Sequence, residues 1–201
     1  MMRRAFQAVV LVGVLALTSG CSLIDRAGAA AVVDGQRYTN DQLASDFVAL
    51  DHELGNASKP GTMDQINLNF INIFVSHEVA LRAASELGLE VDAAAVQKVR
   101  YGIEGQLGGW QKTKAYAASK GIAPSLLDDL FVDSAIMAAI GKKLAPTADA
   151  TTQSNMASAY LGSVVKKMSI EVAPRYGAWD AKNLTVAANA SDLSTSVTAA
   201  G

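Results

Sequence analysis

Leu43, Phe47, Leu50 and Leu54 recur at intervals of four, three and four, which sets all four on one face of a helix. Thr39-Asn-Asp-Gln42 opens that helix as a capping box. The Thr hydroxyl and the Gln amide can each satisfy a backbone group that has no partner within the first turn. Thr62-Met-Asp-Gln65 repeats the device, and a longer helix runs from it to about Leu87 with the stripe Ile66, Phe70, Ile73, Phe74, Leu81 and Leu87. Gly88 stops it, because glycine tolerates the left-handed conformation there. Asp92 caps a third helix whose inward positions are Val96, Val99, Ile103 and Leu107, and Gly108-Gly109 breaks it. A short helix follows over Trp110 to Lys120. Pro124 suits the first position of the next helix, where its missing N–H costs nothing. That helix carries Leu127, Leu130, Phe131, Met137, Ile140 and Leu144, and a last one carries Met156, Tyr160, Leu161, Val164, Val165 and Met168.

The ends of this helical block read differently. Ala30 to Tyr38 forms a hairpin about Asp34-Gly35, a pair that accepts the positive φ a two-residue turn requires. Ser169-Ile-Glu-Val172 alternates as a strand does. An isolated hairpin is only marginally stable, so a terminal strand at Ile170 and Val172 lying beside it would complete a three-stranded sheet. The expected fold is therefore mainly α, about six helices, with a small sheet joining the N-terminal hairpin to a C-terminal strand. From about Ala181 the chain turns to Ala, Ser, Thr and Asn, and residues 181–201 are expected to be a disordered tail.

The first residues do not belong to this domain. Met1-Met2-Arg3-Arg4 precedes the uncharged run Ala8 to Leu17, in the order of a secretory signal segment. The run is short for a membrane span, which needs roughly 20 apolar residues. Ser19 and Gly20 then lead into Cys21, and this stretch resembles the lipobox of bacterial lipoproteins, with Thr18 where that pattern most often has leucine. The resemblance implies cleavage between Gly20 and Cys21 and a lipid on the Cys21 sulfur. The alternatives are a plain signal peptide with an incidental cysteine, or a reactive thiol, which would lack a fixed base at a mobile N-terminus. The organisation expected is a signal peptide over 1–20, a lipidated tether over 21–29, a domain over 30–180 and the tail.

Composition narrows the function further. Half of the residues are hydrophobic, enough for a core within one domain. The chain has 17 basic and 19 acidic residues, and loss of Arg3 and Arg4 would leave it near −4. No basic stripe points to nucleic acid. With a single cysteine, internal disulfides and thiolate metal clusters are excluded.

Candidate chemistry is sparse. His77 falls among Phe70, Phe74 and Leu81, where a packed core or boundary position outweighs a ligand or catalytic role, and His52 lies off its helix's apolar face. Asp128 and Asp129 diverge by about 100° on a helix and do not converge. Asp129 and Asp133 share a face, which reads as a solvated acidic surface before it reads as a carboxylate pair. Gly105 to Gly109 has no preceding strand and no following lysine, so it is a breaker rather than a phosphate loop. Asn56, Asn183 and Asn189 stand in N-x-S/T triplets without further support. The aromatic stretch Arg175-Tyr-Gly-Ala-Trp179 either seals the sheet against the helices or contacts peptide. Phe47, Phe70, Phe74 and Phe131 read first as core, though some can line a groove.

Ala31-Val-Val-Asp-Gly-Gln-Arg-Tyr-Thr-Asn-Asp-Gln-Leu43 resembles the opening of SurA-type and PrsA-type periplasmic foldases. Tyr116 to Leu130 is similar to their later helical segment, and Glu171 to Asp180 to the closing strand of the same module. The resemblance spans roughly residues 30–180. It implies a SurA N-terminal-like chaperone domain that holds unfolded or extended polypeptide. Relatives often carry a parvulin-type prolyl isomerase between the helix ending near Leu144 and the final helix; here only about Ala145 to Ala148 stand at that point. The expectation is a non-enzymatic lipoprotein, anchored to the extracytoplasmic face of the cell membrane by lipid on Cys21. It would bind exported polypeptides without ATP, cofactor, metal or nucleic acid, with Phe47, Phe74, Phe131, Tyr176 and Trp179 as candidate client contacts. The alternative on the same frame is an envelope scaffold with one folded partner.

Overall fold

The computed structural model describes residues 28–189. Gly20, Cys21 and the rest of the expected signal segment lie outside the described residues, as does most of the tether and the chain from residue 190. Two strands come first, β1 (Ala29–Val33) and β2 (Gln36–Thr39), joined by Asp34 and Gly35, both at positive φ. Five helices and a sixth follow: α1 (Asn40–Leu54), α2 (Met63–Glu86), α3 (Ala93–Leu107), α4 (Trp110–Ser119), α5 (Leu127–Leu144) and α6 (Ala150–Val165). A short 3-10 turn, Pro124–Leu126, leads into α5. Strands β3 (Ile170–Val172), β4 (Ala178–Asp180) and β5 (Thr185–Ala187) close the described chain. None of these helices is long and apolar enough to cross a membrane.

Both capping boxes form. Gln42 N donates to Thr39 Oγ1 at 3.1 Å while the Gln42 side chain takes the Thr39 N–H at 2.8 Å, and Thr62 with Gln65 repeats the pair. Beyond α2, Gly88 turns at φ 60°, and the bonds from Gly88 N to Ser85 O and from Leu89 N to Ala84 O satisfy carbonyls the helix leaves open. Residues 145–149 alone connect α5 to α6, with Asp149 capping α6 by accepting from Thr152 N.

The sheet is antiparallel in the order β2-β1-β3, so the first strand is central. Val33 pairs with Ile170 and Ala31 with Val172. Asp34 fixes this register twice, through its own N–H to Ser169 O and through a carboxylate oxygen that accepts from Ser169 N. The main core gathers Ala30, Val33, Tyr38, Leu43 and Leu50 against Ile66, Phe70, Ile71 and Val75 of α2. A second cluster sets Ala80, Ala83 and Ala84 of α2 on Ile136, Ile140, Ala157 and Val164. Helix α2 therefore buries side chains around most of its circumference and forms the axis of the domain.

Four expectations need correcting. Leu81 is exposed, because the side of α2 that packs against α5 and α6 presents alanines, which admit a neighbouring helix more closely. The inward row of α3 is only half-buried, with Val96, Val99 and Ile103 edging a small cluster of Ala117, Leu127 and Phe131. Phe131 is 2 % exposed and belongs to that cluster, so it is core and not a client contact. The expected tail contains β5, which pairs with β4 (Trp179 with Val186) and buries Val186. Asn72 of α2 acts as a third strand for this hairpin: its Oδ1 accepts from Val186 N at 2.8 Å and its Nδ2 donates to Val186 O at 3.1 Å.

Candidate functional site

Helix α6 repeats small residues every fourth position, Ala150, Ser154, Ser158 and Gly162, on one face. Two open clefts follow that face and meet at Ser76 of α2. The first, about 600 Å³, lies among Ser76, Leu130, Asp133, Met137 and the α6 residues Ala150 and Ser154. The second, about 240 Å³, lies among Val75, Val79, Ser158, Leu161, Trp179 and Leu184. Together they form a groove along α6 from Ala150 to Val165, roughly 22 Å at 1.5 Å per residue. An extended polypeptide rises ~3.3 Å per residue, so the groove matches roughly seven residues of strand. Its floor is small and polar, and its half-buried walls are Leu130, Met137, Leu161, Trp179 and Leu184, backed by the buried core residues Val75 and Val79.

Helix α5 carries the groove toward a different environment. Asp129, Asp133 and Met137 stand four residues apart on it, so they share a face. Met137 and Asp133 border the apolar cleft, and Asp129 borders a polar one of about 400 Å³. His77 of α2 stands between. Its Nδ1 meets Asp133 Oδ1 at 2.7 Å, and its Nε2 lies 3.8 Å from Asp129 Oδ1. The hydrogen bond to Asp133 raises the His77 pKa against the opposing effect of burial. Here the acidic face expected to be solvated is partly enclosed: the Asp133 side chain is 15 % exposed and faces a histidine.

The polar cleft has an aromatic wall and a carboxylate lining. Tyr38 and Phe74 stack with centroids 5.2 Å apart. The Tyr38 hydroxyl donates to Asp46 Oδ2, and Ser125 Oγ donates to Asp46 Oδ1 at 2.6 Å, so this buried carboxylate is held on both oxygens. Burial first, and the Asp46 hydrogen bond second, push the Tyr38 hydroxyl far above the ordinary tyrosine range. Burial likewise raises the pKa values of Glu78 and Asp129, which also line the cleft.

Of the candidate contacts, only Trp179 stands on the groove. Phe74 edges the polar cleft from its stack with Tyr38. Phe47 packs on the main core beneath the Lys59 ammonium, 4.5 Å from its ring centroid. Tyr176 packs on the same core and donates its hydroxyl to Asn40 Oδ1 at 3.2 Å, with the Arg175 guanidinium over its ring. The sealing role fits Tyr176, while Trp179 both seals and lines. Sequence reading missed the small-residue row of α6, although its fourfold spacing was visible, because small polar positions carry no hydrophobic signal. No family model, curated protein or solved structure matches the chain.

Proposed function

We propose that this protein is a membrane-anchored, extracytoplasmic lipoprotein that holds extended or unfolded segments of exported polypeptides, without ATP and without isomerase activity. The observation that carries the reading is the groove along α6, long enough for roughly seven extended residues, lined by apolar side chains and floored by small ones. An extended client is a better fit than a compact ligand. The groove is a channel rather than an enclosed cavity, and pockets for small molecules bury most of their ligand. Affinity would be modest, because an unfolded segment gives up conformational freedom on binding. The five-residue connection 145–149 is too short to hold the inserted isomerase domain that many proteins of the SurA and PrsA type carry at that point. Cys21 would attach the domain to the outer face of the cytoplasmic membrane, and two or more acyl chains anchor stably where one is marginal.

The test is aggregation of several unrelated unfolded proteins, followed with the wild type and with Ser158→Trp. Ser158 is exposed on the groove floor, so the indole fills the channel without entering the core. Suppression by the wild type and its loss in the variant are expected. Suppression unchanged by the variant removes the groove from the account, and a wild type that protects nothing yet retains one folded partner favours the scaffold reading. Labelled fatty acid tests the anchor: incorporation should vanish in Cys21→Ala.

A further inference from the structure

The polar cleft lies at the end of the same α5 face that walls the groove, and its charges are unbalanced. Asp46, Glu78 and Asp129 line it with Arg37 as the basic side chain, while His77 is already engaged by Asp133. Asp46 is committed to Tyr38 and Ser125. Glu78 and Asp129 share one nearby cation, His77, which lies 3.8 Å from Asp129 Oδ1 and favours the charged form of both. Two carboxylates therefore face an open cleft with His77, already bonded to Asp133, as the counter-charge they share, beside the Phe74 ring and Leu126. A lysine or arginine side chain complements this arrangement in both parts. Its methylene stem covers apolar surface while its head reaches the acids, and a cation over an aromatic face gains further. Resting on the groove reading above, we infer that the cleft is a docking pocket for a basic side chain flanking the apolar segment in the groove, so that the preferred client is an apolar stretch with a lysine or arginine at its end. The raised pKa values of Glu78 and Asp129 accord with this, since an arriving cation favours their charged forms.

The experiment uses the full processed protein in nanodiscs of zwitterionic lipid, with empty discs as the blank. Fluorescence anisotropy follows labelled peptides that share one apolar core and differ at a single flanking position, Lys, norleucine or Glu. The Lys peptide is expected to bind about tenfold more tightly than the norleucine peptide, equivalent to ~1.4 kcal/mol, and the advantage should shrink as salt is raised. The pair Glu78→Gln with Asp129→Asn should erase the difference between the Lys and norleucine peptides. Glu78→Lys should turn the preference toward the Glu peptide, an effect that loss of structure would not produce. Equal binding of all peptides by the wild type, or a Lys preference that survives both sets of substitutions, overturns the basic-pocket inference and leaves the groove standing. Failure of every peptide to bind overturns the groove and the pocket together.

Discussion

Asn72→Ala isolates the contact that docks the last hairpin on the helical axis. The Asn72 amide makes four hydrogen bonds: to the Leu68 and Val186 carbonyls from Nδ2, and from Val186 N and Thr185 Oγ1 to Oδ1. Val186 is 4 % exposed, so removing the amide strands its N–H and C=O away from water. A buried backbone group left without a partner costs about 1–3 kcal/mol, and some relaxation of an edge hairpin brings the combined loss to roughly 2–4 kcal/mol. In a domain of this size each kcal/mol shifts the melting temperature by about 2–4 °C, so a fall of roughly 5–12 °C is expected by circular dichroism. Thr185→Val removes only one of the four bonds and should cost about 1 kcal/mol or less. Because the hairpin carries Trp179 and Leu184 to the groove, Asn72→Ala should also weaken peptide binding at temperatures where the protein remains folded. A melting temperature within about 1 °C of the wild type would show that β5 is not held as described.

The α5–α6 contact gives a contrast between two glycines. A Cβ on Gly141 would lie 2.6 Å from Gln153 O, whereas one on Gly162 meets only Leu184 Cδ1 at 3.6 Å. Gly141→Ala should cost about 1–3 kcal/mol by overpacking and Gly162→Ala should be neutral or slightly stabilising, as chemical denaturation would show; equal effects would contradict the packing. The raised pKa of His77 means that its contribution is complete below about pH 6.5 and is lost as pH rises through the folded-state value. Raised carboxylate values at Glu78 and Asp129 act in the same direction, since the folded state keeps their protons longer. Stability should therefore decline as pH rises from mildly acidic through the folded-state value of His77, with a shallower slope in His77→Gln, and an NMR titration midpoint for His77 at or below about 6.5 would refute this. The protein should not accelerate a proline-limited refolding reaction, whose uncatalysed phase lasts roughly tens to hundreds of seconds; acceleration proportional to protein concentration would overturn the non-enzymatic reading.

Local signals in this chain were strong enough to read directly. Thr39 with Gln42, Thr62 with Gln65, Asp34-Gly35 and Asp92 each act within a few residues, and each forms the cap or turn its chemistry requires. Pairing of Ile170 and Val172 with the hairpin was also accessible, because an unpartnered hairpin demands another strand. What escaped depends on distant partners. Strand β5 is only three residues, Thr185–Ala187, within an otherwise polar stretch, and it is ordered by an asparagine more than a hundred positions earlier in the chain. Asp133 looked solvated on its own helix, and only the approach of His77 from α2 encloses it. Phe131 has the hydrophobicity of a client contact and of a core residue alike, and the packing of Ala117 and Leu127 decides between them. The groove escaped because its floor is defined by what Ser154, Ser158 and Gly162 lack in bulk.

The central claim is that extended, apolar segments of exported proteins lie along α6. A photoreactive phenylalanine analogue at Ser158, with a second protein carrying it at exposed Tyr101 on α3, tests this in intact cells. Illumination is expected to join Ser158, and not Tyr101, to several unrelated exported proteins while they are still unfolded. A single discrete adduct with one folded partner, or no adduct above the Tyr101 background, would contradict the claim.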